Sequence, residues 1–558
     1  MKKTQKAIVS LLSAAVLAVS LAGCGGSSSP APASTPAAST DAGTGSASKD
    51  TGASVSRETD ITAAIPVDFT TMDPMDTSDT LSGGIQRMIM DGLFGFNDKM
   101  ELIPLLATDY TANEDATEFT LTLREGVSFS DGTPWNAEAA KANLDRWGDK
   151  NLGLKRTTLL CNIIDHTDIV DEYTVSVKLT ESFGAFINTL AHPACVIVSP
   201  NVIEAGPEAC ASAPVGTGQY KFVEWIAGET TKLELNPDWW GFDADICGGT
   251  ALADEDAGFR TITFRPVSED ATRVAMLQSG DAQVIWPVPT ESVNALEKDP
   301  NVTVGKGEGI VVRFLMLNTQ KEVFKDKRVR QAVNYALDKE AYVAVVKNGL
   351  ASVATSVIGP ATSFYKANEP YEYNVEKARE LLAEAGYPDG ITFNMMYSNT
   401  SSNTKQAEFY KQQLAKAGIE VELIGLENAI LNQRVQDTDA PGAEAEVDTY
   451  ISGWSSSTGD ADWALRPLLC KESEPPSSYN TCYYENEEFD NLIYKALSTA
   501  DETVRAECYA KAQDIAWEDS PIVSMANDFN TWATSKNISN VSIYPDGAVN
   551  FRNGKISN

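Results

Sequence analysis

The chain has 558 residues, 44 Lys and Arg against 78 Asp and Glu, and a formal charge of −34. That length predicts at least two lobes, and 43% hydrophobic with 8% aromatic residues excludes a mainly disordered chain. The acidity argues against nucleic acid, whose phosphates need clustered Lys and Arg, and against electrostatic adhesion to anionic lipid.

Taken in chain order, Lys2, Lys3 and Lys6 precede an apolar run over residues 7–22. This is the charge and apolar pattern of a signal peptide (1–23), shorter than the ~20 residues that span a bilayer. The run closes Leu21-Ala22-Gly23-Cys24, which resembles a bacterial lipobox, so cleavage before Cys24 and its diacylation are expected. Two acyl chains suffice for stable anchoring. Residues 25–54 are Gly, Ser, Ala, Pro and Thr with few charges, too poor in apolar surface to offset ordering entropy. They read as a tether reaching roughly 30 Å.

Beyond residue 57 helical and strand patterns alternate. Phe119, Leu121 and Leu123 alternate before a turn at Asp131-Gly132. Ser268 is the expected cap of a helix through Ala275, Met276 and Leu277, stopped at Gly280 and followed by a strand over 282–286. Gly305-Lys306-Gly307-Glu308-Gly309 reads as a loop, since it lacks the strand–turn–helix setting of a phosphate site. Val329, Ala332/Val333 and Ala336/Leu337 predict a helix over 325–339. Asn374 caps a helix over 375–385 ended by Gly386 and Pro388; a helix over 404–417 then stops at Gly418 before a strand over 419–423. The sum is an α/β chain with mixed sheets.

Seven cysteines remain beside Cys24, an odd number, so at least one is unpaired within the chain. Cys508 lies on the apolar stripe Val504, Cys508, Ala512, Ile515 and reads as a core thiol. Cys470 and Cys482 flank a Pro- and Ser-rich loop, and a disulfide between them is expected outside the cytoplasm. The two histidines, His166 and His192, exclude multi-histidine metal sites, and His192 reads as a hydrogen-bonded structural residue. No Gly-x-Ser-x-Gly elbow or Gly-x4-Gly-Lys-Ser/Thr loop occurs. An enzyme is unsupported, and no cofactor or metal is expected.

Several stretches resemble the peptide/nickel class, family 5, of ABC-importer solute-binding proteins. They include Gly92-Leu93-Phe94-Gly95-Phe96, Phe119-Thr120-Leu121-Thr122-Leu123-Arg124-Glu125-Gly126, Asp131-Gly132-Thr133-Pro134-Trp135, Pro214-Val215-Gly216-Thr217-Gly218-Gln219-Tyr220 and Val329-Arg330-Gln331-Ala332-Val333-Asn334-Tyr335-Ala336. The resemblance runs from about residue 60 to the C-terminus. It implies a two-lobed periplasmic-binding-protein-like fold (type II, cluster C) with mixed sheets and an extra subdomain in the first lobe. After the signal (1–23) and tether (24–56), lobe 1 is expected over 57–310 with its inserted subdomain at about 91–205. Lobe 2 then spans 311–524, and 525–558 returns to lobe 1. Asp79-Thr80-Leu81, Ala185-Phe186-Ile187-Asn188-Thr189-Leu190-Ala191-His192-Pro193 and Gly453-Trp454-Ser455-Ser456-Ser457 through Asp460-Ala461-Asp462 narrow the likeness to the glutathione-binding branch. Relatives that bind dipeptides carry an Asp where Ser457 stands and an Arg near Tyr397, so this chain departs from them.

The resemblance implies capture of a short peptide between closing lobes and delivery to a membrane permease, by a monomer touching the membrane only through its lipid anchor. Glutathione or a related γ-glutamyl or short peptide is the expected cargo. The alternatives are a di- or oligopeptide, a nickel chelate or an oligosaccharide, or from another class an extracellular hydrolase or chemoreceptor module. Arg434 and Arg466 are candidates for a ligand carboxylate, against a structural salt bridge. Trp454 either walls the cleft or packs in the core. Asp79 or Asp460 takes the ammonium, or serves as a helix cap or turn. Thr77, Thr80, Tyr397 and Asn399 complete the candidate set as polar neighbours of the matching cleft elements.

Overall fold

A computed structural model describes residues 59–77 and 79–557. The expected signal peptide, Cys24 and tether lie outside the described residues. One eleven-stranded mixed sheet runs through the molecule. At one end Ile391–Ser398 lies between Ile419–Leu426 and Thr449–Ser455, parallel to both. Thr449–Ser455 pairs antiparallel with Val302–Leu317, which pairs antiparallel with Ile522–Ser535 along most of its length. Val284–Ile285, Asp60–Ile65, Thr261–Pro266, Thr230–Leu235 and Tyr220–Ile226 continue the sheet. The two long strands thus belong to both halves, and their register shifts between Glu308 and Val312 and again between Arg313 and Phe314.

The lobe borders expected at 310/311 and 524/525 fall inside these two strands. A separate antiparallel sheet, in the order Ala107–Ala112, Glu118–Leu123, Thr174–Leu179, Ile164–Asp171, forms in the stretch expected as the inserted subdomain. Phe119, Leu121 and Leu123 point into its core, where they join Trp135, Trp147 and Phe186. The alternation in the sequence therefore marks the buried face.

Local capping explains most helix boundaries. Asn374 accepts from the Lys377 amide to start Val375–Glu384, and Gly386 follows at φ +96°. Thr400 caps Ser401–Ala415, three residues earlier than the pattern suggested. Glu269, rather than Ser268, occupies the cap position of Asp270–Ser279, which ends at left-handed Gly280, and the next strand is only Val284–Ile285. The helix expected over 325–339 divides into Lys327–Ala336 and Lys339–Val345, because Leu337 is extended and Asp338 accepts from the Ala341 amide to start a new helix. The glycine-rich 305–309 is not a loop; it is part of Val302–Leu317. Gly305 lies under the Trp532 indole, where a Cβ would sit 2.1 Å from the ring.

The expected Cys470–Cys482 disulfide is corrected. All seven described cysteines are free thiols. Cys482 Sγ donates to the Pro521 carbonyl at 3.2 Å, Cys470 hydrogen-bonds the Asp490 carboxyl, and burial raises the pKa of both thiols. Each thiol therefore already has its own polar partner. Cys508 is a core thiol, as its stripe implies.

Candidate functional site

A cavity of about 610 Å³ lies between segments far apart in sequence, within the usual range for a small-molecule site. One wall begins with Pro74, Thr77 and Asp79. Asp79 caps Thr80–Ile89, accepting from the Ser82 amide at 2.8 Å, and Thr80, Gly83 and Gln86 carry the wall onward. Gln86 donates to Thr77 Oγ1 at 2.8 Å, and Thr77 Oγ1 donates to the Asp73 carbonyl at 3.1 Å. Lys155 and Arg156 add positive charge. Arg156 Nε donates to the Thr77 carbonyl at 3.0 Å, so the guanidinium is tied to the same loop. Burial lowers its pKa, but a guanidinium stays charged.

The facing wall comes from the end of Thr449–Ser455 and the helix Asp462–Leu469. Trp454 donates from Nε1 to the Trp463 carbonyl at 2.6 Å, and its ring centroid lies 5.1 Å from that of Tyr479. These aromatics, with Ser455, Ser457, Ser477 and Ser478, give a polar cleft with one apolar side. Arg466 lines it too, gripping Asp462 through Nε and Nη2 at 2.9 and 2.7 Å. That carboxylate raises the guanidinium pKa. Asp546 is similarly paired with Arg87 at 2.6 Å. Lys155, Arg156 and Asp79 therefore line the same cleft, bringing both signs of charge to it.

His192 bridges the two walls. Its Nδ1 accepts from the Ala194 amide at 3.0 Å, so the neutral ring carries its proton on Nε2, which donates to Ser457 Oγ at 3.1 Å. Burial, then the charges of Arg156 and Arg87, lower its pKa to about 3. Outside the cavity lining, the segment expected as the inserted subdomain also meets the one expected as lobe 2 where the Gly184 amide donates to the Leu497 carbonyl at 2.8 Å.

Of the expected residues, Thr77, Asp79, Thr80, Trp454 and Arg466 line this cavity. Four do not. Asp460 is fully buried and holds Arg505 Nη2 at 2.9 and 3.0 Å, so an internal cation already occupies its carboxylate. Arg434 pairs with Glu446 at 2.6 Å on the surface. Tyr397 packs in the core cluster with Phe393, Met395 and Tyr410. Asn399 is exposed, its amide bonded to the Leu426 carbonyl. Sequence reasoning missed Lys155, Arg156, Trp463, Tyr479 and Asp546, read His192 as a hydrogen-bonded structural residue, and treated Ser457 only through family likeness. The adjacent Lys155-Arg156 pair in so acidic a chain was the one local signal available.

The family model described as "Bacterial extracellular solute-binding proteins, family 5 Middle" matches residues 101–474. The glutathione-binding protein GsiB of Escherichia coli (strain K12) is 38% identical over 499 residues, covering 89% of this chain and 94% of that protein. Its counterpart from Shigella flexneri matches to the same extent. Among solved structures, HbpA2 from Haemophilus parasuis superposes with a TM-score of 0.78 at 27% identity, covering 89% of this chain and all (100%) of that one. DppA from Helicobacter pylori, in complex with the peptide STSA, gives 0.70 at 27% identity, covering 90% and 99%.

Proposed function

Because the chain belongs to the family 5 bacterial extracellular solute-binding proteins, we propose that it captures glutathione or a closely related short peptide and delivers it to the permease of an ABC importer. The observation that carries this reading is the cleft itself. It presents Arg156 and Lys155 on the same wall as Asp79, opposite Trp454 and a group of serine hydroxyls. An amino-acid terminus needs an anion partner for its ammonium and a cation for its carboxylate, and this wall supplies both. Charge-assisted hydrogen bonds contribute about 1.5–3 kcal/mol each, so a few suffice for tight capture. The protein's overall negative charge is screened beyond ~8 Å and leaves these local contacts decisive.

In this reading the segments on either side of the two long strands are lobes that close on the ligand. The closed state is favoured because the ligand touches both walls. Cys24 carries two acyl chains after signal cleavage and holds a monomer at the outer face of the membrane. Among the described residues no helix is long and apolar enough to cross it. The cargo leaves chemically unchanged.

Thermal-shift measurements with reduced and oxidised glutathione, dipeptides, longer peptides and nickel–histidine test the assignment. Glutathione at one hundred times Kd stabilises the protein by about 2.7 kcal/mol. A midpoint raised only by a nickel chelate or a sugar refutes the cargo, and turnover of any peptide refutes the transport role.

A further inference from the structure

A second, smaller cavity of about 200 Å³ adjoins the strand that walls the main cleft. Ile391–Ser398 has Ile419–Leu426 on one side and Thr449–Ser455 on the other, both parallel to it. The chain thus leaves Ile391–Ser398 to build outward on one side and then crosses to the other. The carboxyl ends of Ile391–Ser398 and Thr449–Ser455 form a topological switch point, the place where open α/β sheets bind ligands. Ser398, Ser452 and Gly453 line the small cavity from these ends, while Trp454 and Ser455 of the same strand line the large one.

Among the described residues Arg313 is the one charged residue lining this cavity, and no carboxylate lines it. Its Nε donates to Asp528 at 2.6 Å, and Lys347 lies 2.7 Å from the other oxygen of that carboxylate. Two cations therefore share one anion, and the cluster keeps a net positive charge. A Cβ built on Gly453 would sit 3.0 Å from Arg313 Nη1, so that glycine leaves room for the guanidinium at the cavity wall. Gln406 is 4% exposed, and its Oε1 accepts from the Tyr342 hydroxyl at 2.7 Å, which leaves its amide nitrogen as a free donor at the cavity.

We propose that this pocket receives the carboxyl terminus of the captured peptide, with Arg313 as its counter-charge and Gln406 as a further donor. The inference rests on the functional reading above and adds the orientation of the cargo. An amino terminus with its own carboxylate, as in a γ-glutamyl residue, needs both signs of charge and fits the main cleft. A lone carboxylate needs a cation and donors, and the small pocket has both, with no carboxylate among its described lining residues.

Calorimetry with glutathione and Ala-Ala-Ala, each as free acid and as C-terminal amide, tests this on the wild type, Arg313→Gln and Arg313→Lys. Asp528 keeps Lys347 in every variant, and melting curves check that each is folded. For the wild type the amide binds about 10- to 100-fold more weakly than the acid, the size of a lost charge-assisted contact. Arg313→Gln weakens the acid by a similar factor and binds acid and amide alike, while Arg313→Lys retains part of the discrimination. A folded Arg313→Gln that still discriminates as the wild type does overturns the inference. If only Ala-Ala-Ala binds, the glutathione reading fails, and the acid–amide comparison on that peptide still decides the role of Arg313. If neither binds, both fall.

Discussion

Gly184→Ala separates a seam that forms on closure from one that is permanent. The Gly184 amide donates to Leu497, and a Cβ at this position would lie 2.1 Å from the Thr499 carbonyl oxygen and 3.0 Å from that of Ala496. Both obstacles are backbone atoms, so no rotamer change relieves the clash. Overpacking of this kind costs about 1–3 kcal/mol, and losing the Gly184 hydrogen bond adds about 0.5–1.5 kcal/mol. If the seam exists only in the closed state, about 2–4 kcal/mol falls entirely on closure. Glutathione affinity then drops about 30- to 1000-fold, while the ligand-free protein melts as before. Titration calorimetry measures the first quantity and ligand-free denaturation the second. A ligand-free midpoint lowered by the full amount, with affinity unchanged, refutes the hinge argument and makes the seam a fixed contact.

Two further outcomes follow from buried charges. Asp460→Asn leaves Arg505, whose side chain is 4% exposed, without its counter-ion, and destabilises the fold by about 3–5 kcal/mol in urea denaturation. The double variant with Arg505→Met recovers much of that loss, and a double variant no better than the single would refute the pairing. Lys339 Nζ is buried without a hydrogen-bond partner, over the Tyr371 and Trp517 rings, and burial lowers its pKa to about 7. Between that value and the ordinary lysine value near 10.4 the unfolded chain binds a proton that the folded chain lacks. Stability contributed at this site therefore rises with pH across that window, by up to about 1.4 kcal/mol per pH unit. Lys339→Met removes the rise, and a variant with the same pH profile as wild type would refute it.

What the sequence displays locally, it displays well. Asn374 and Gly386 bracket their helix because cap and stop act within a turn or two, and the alternation at Phe119, Leu121 and Leu123 marks a buried face directly. Distant partners are invisible at that level. The Asp460 carboxylate looks available until Arg505, on the helix Glu502–Asp519, closes on it. Gly305 suggests a loop because the Trp532 ring that requires its small size lies more than two hundred residues away. Cys470 and Cys482 are near in sequence, yet Asp490 and Pro521 provide their partners. Asp79, Thr80 and Trp454 were legible because motif likeness carries three-dimensional information that spacing alone lacks. Arg156 belongs to no such motif.

Because Val302–Leu317 and Ile522–Ser535 run unbroken through both halves, separating the halves requires no backbone ladder to be unzipped. If the halves are lobes that close, the irregular register near Glu308 to Phe314 is the place where this paired ribbon gives most easily. On that reading a solute arriving in the cleft needs only to tip a balance between two shapes of one continuous sheet.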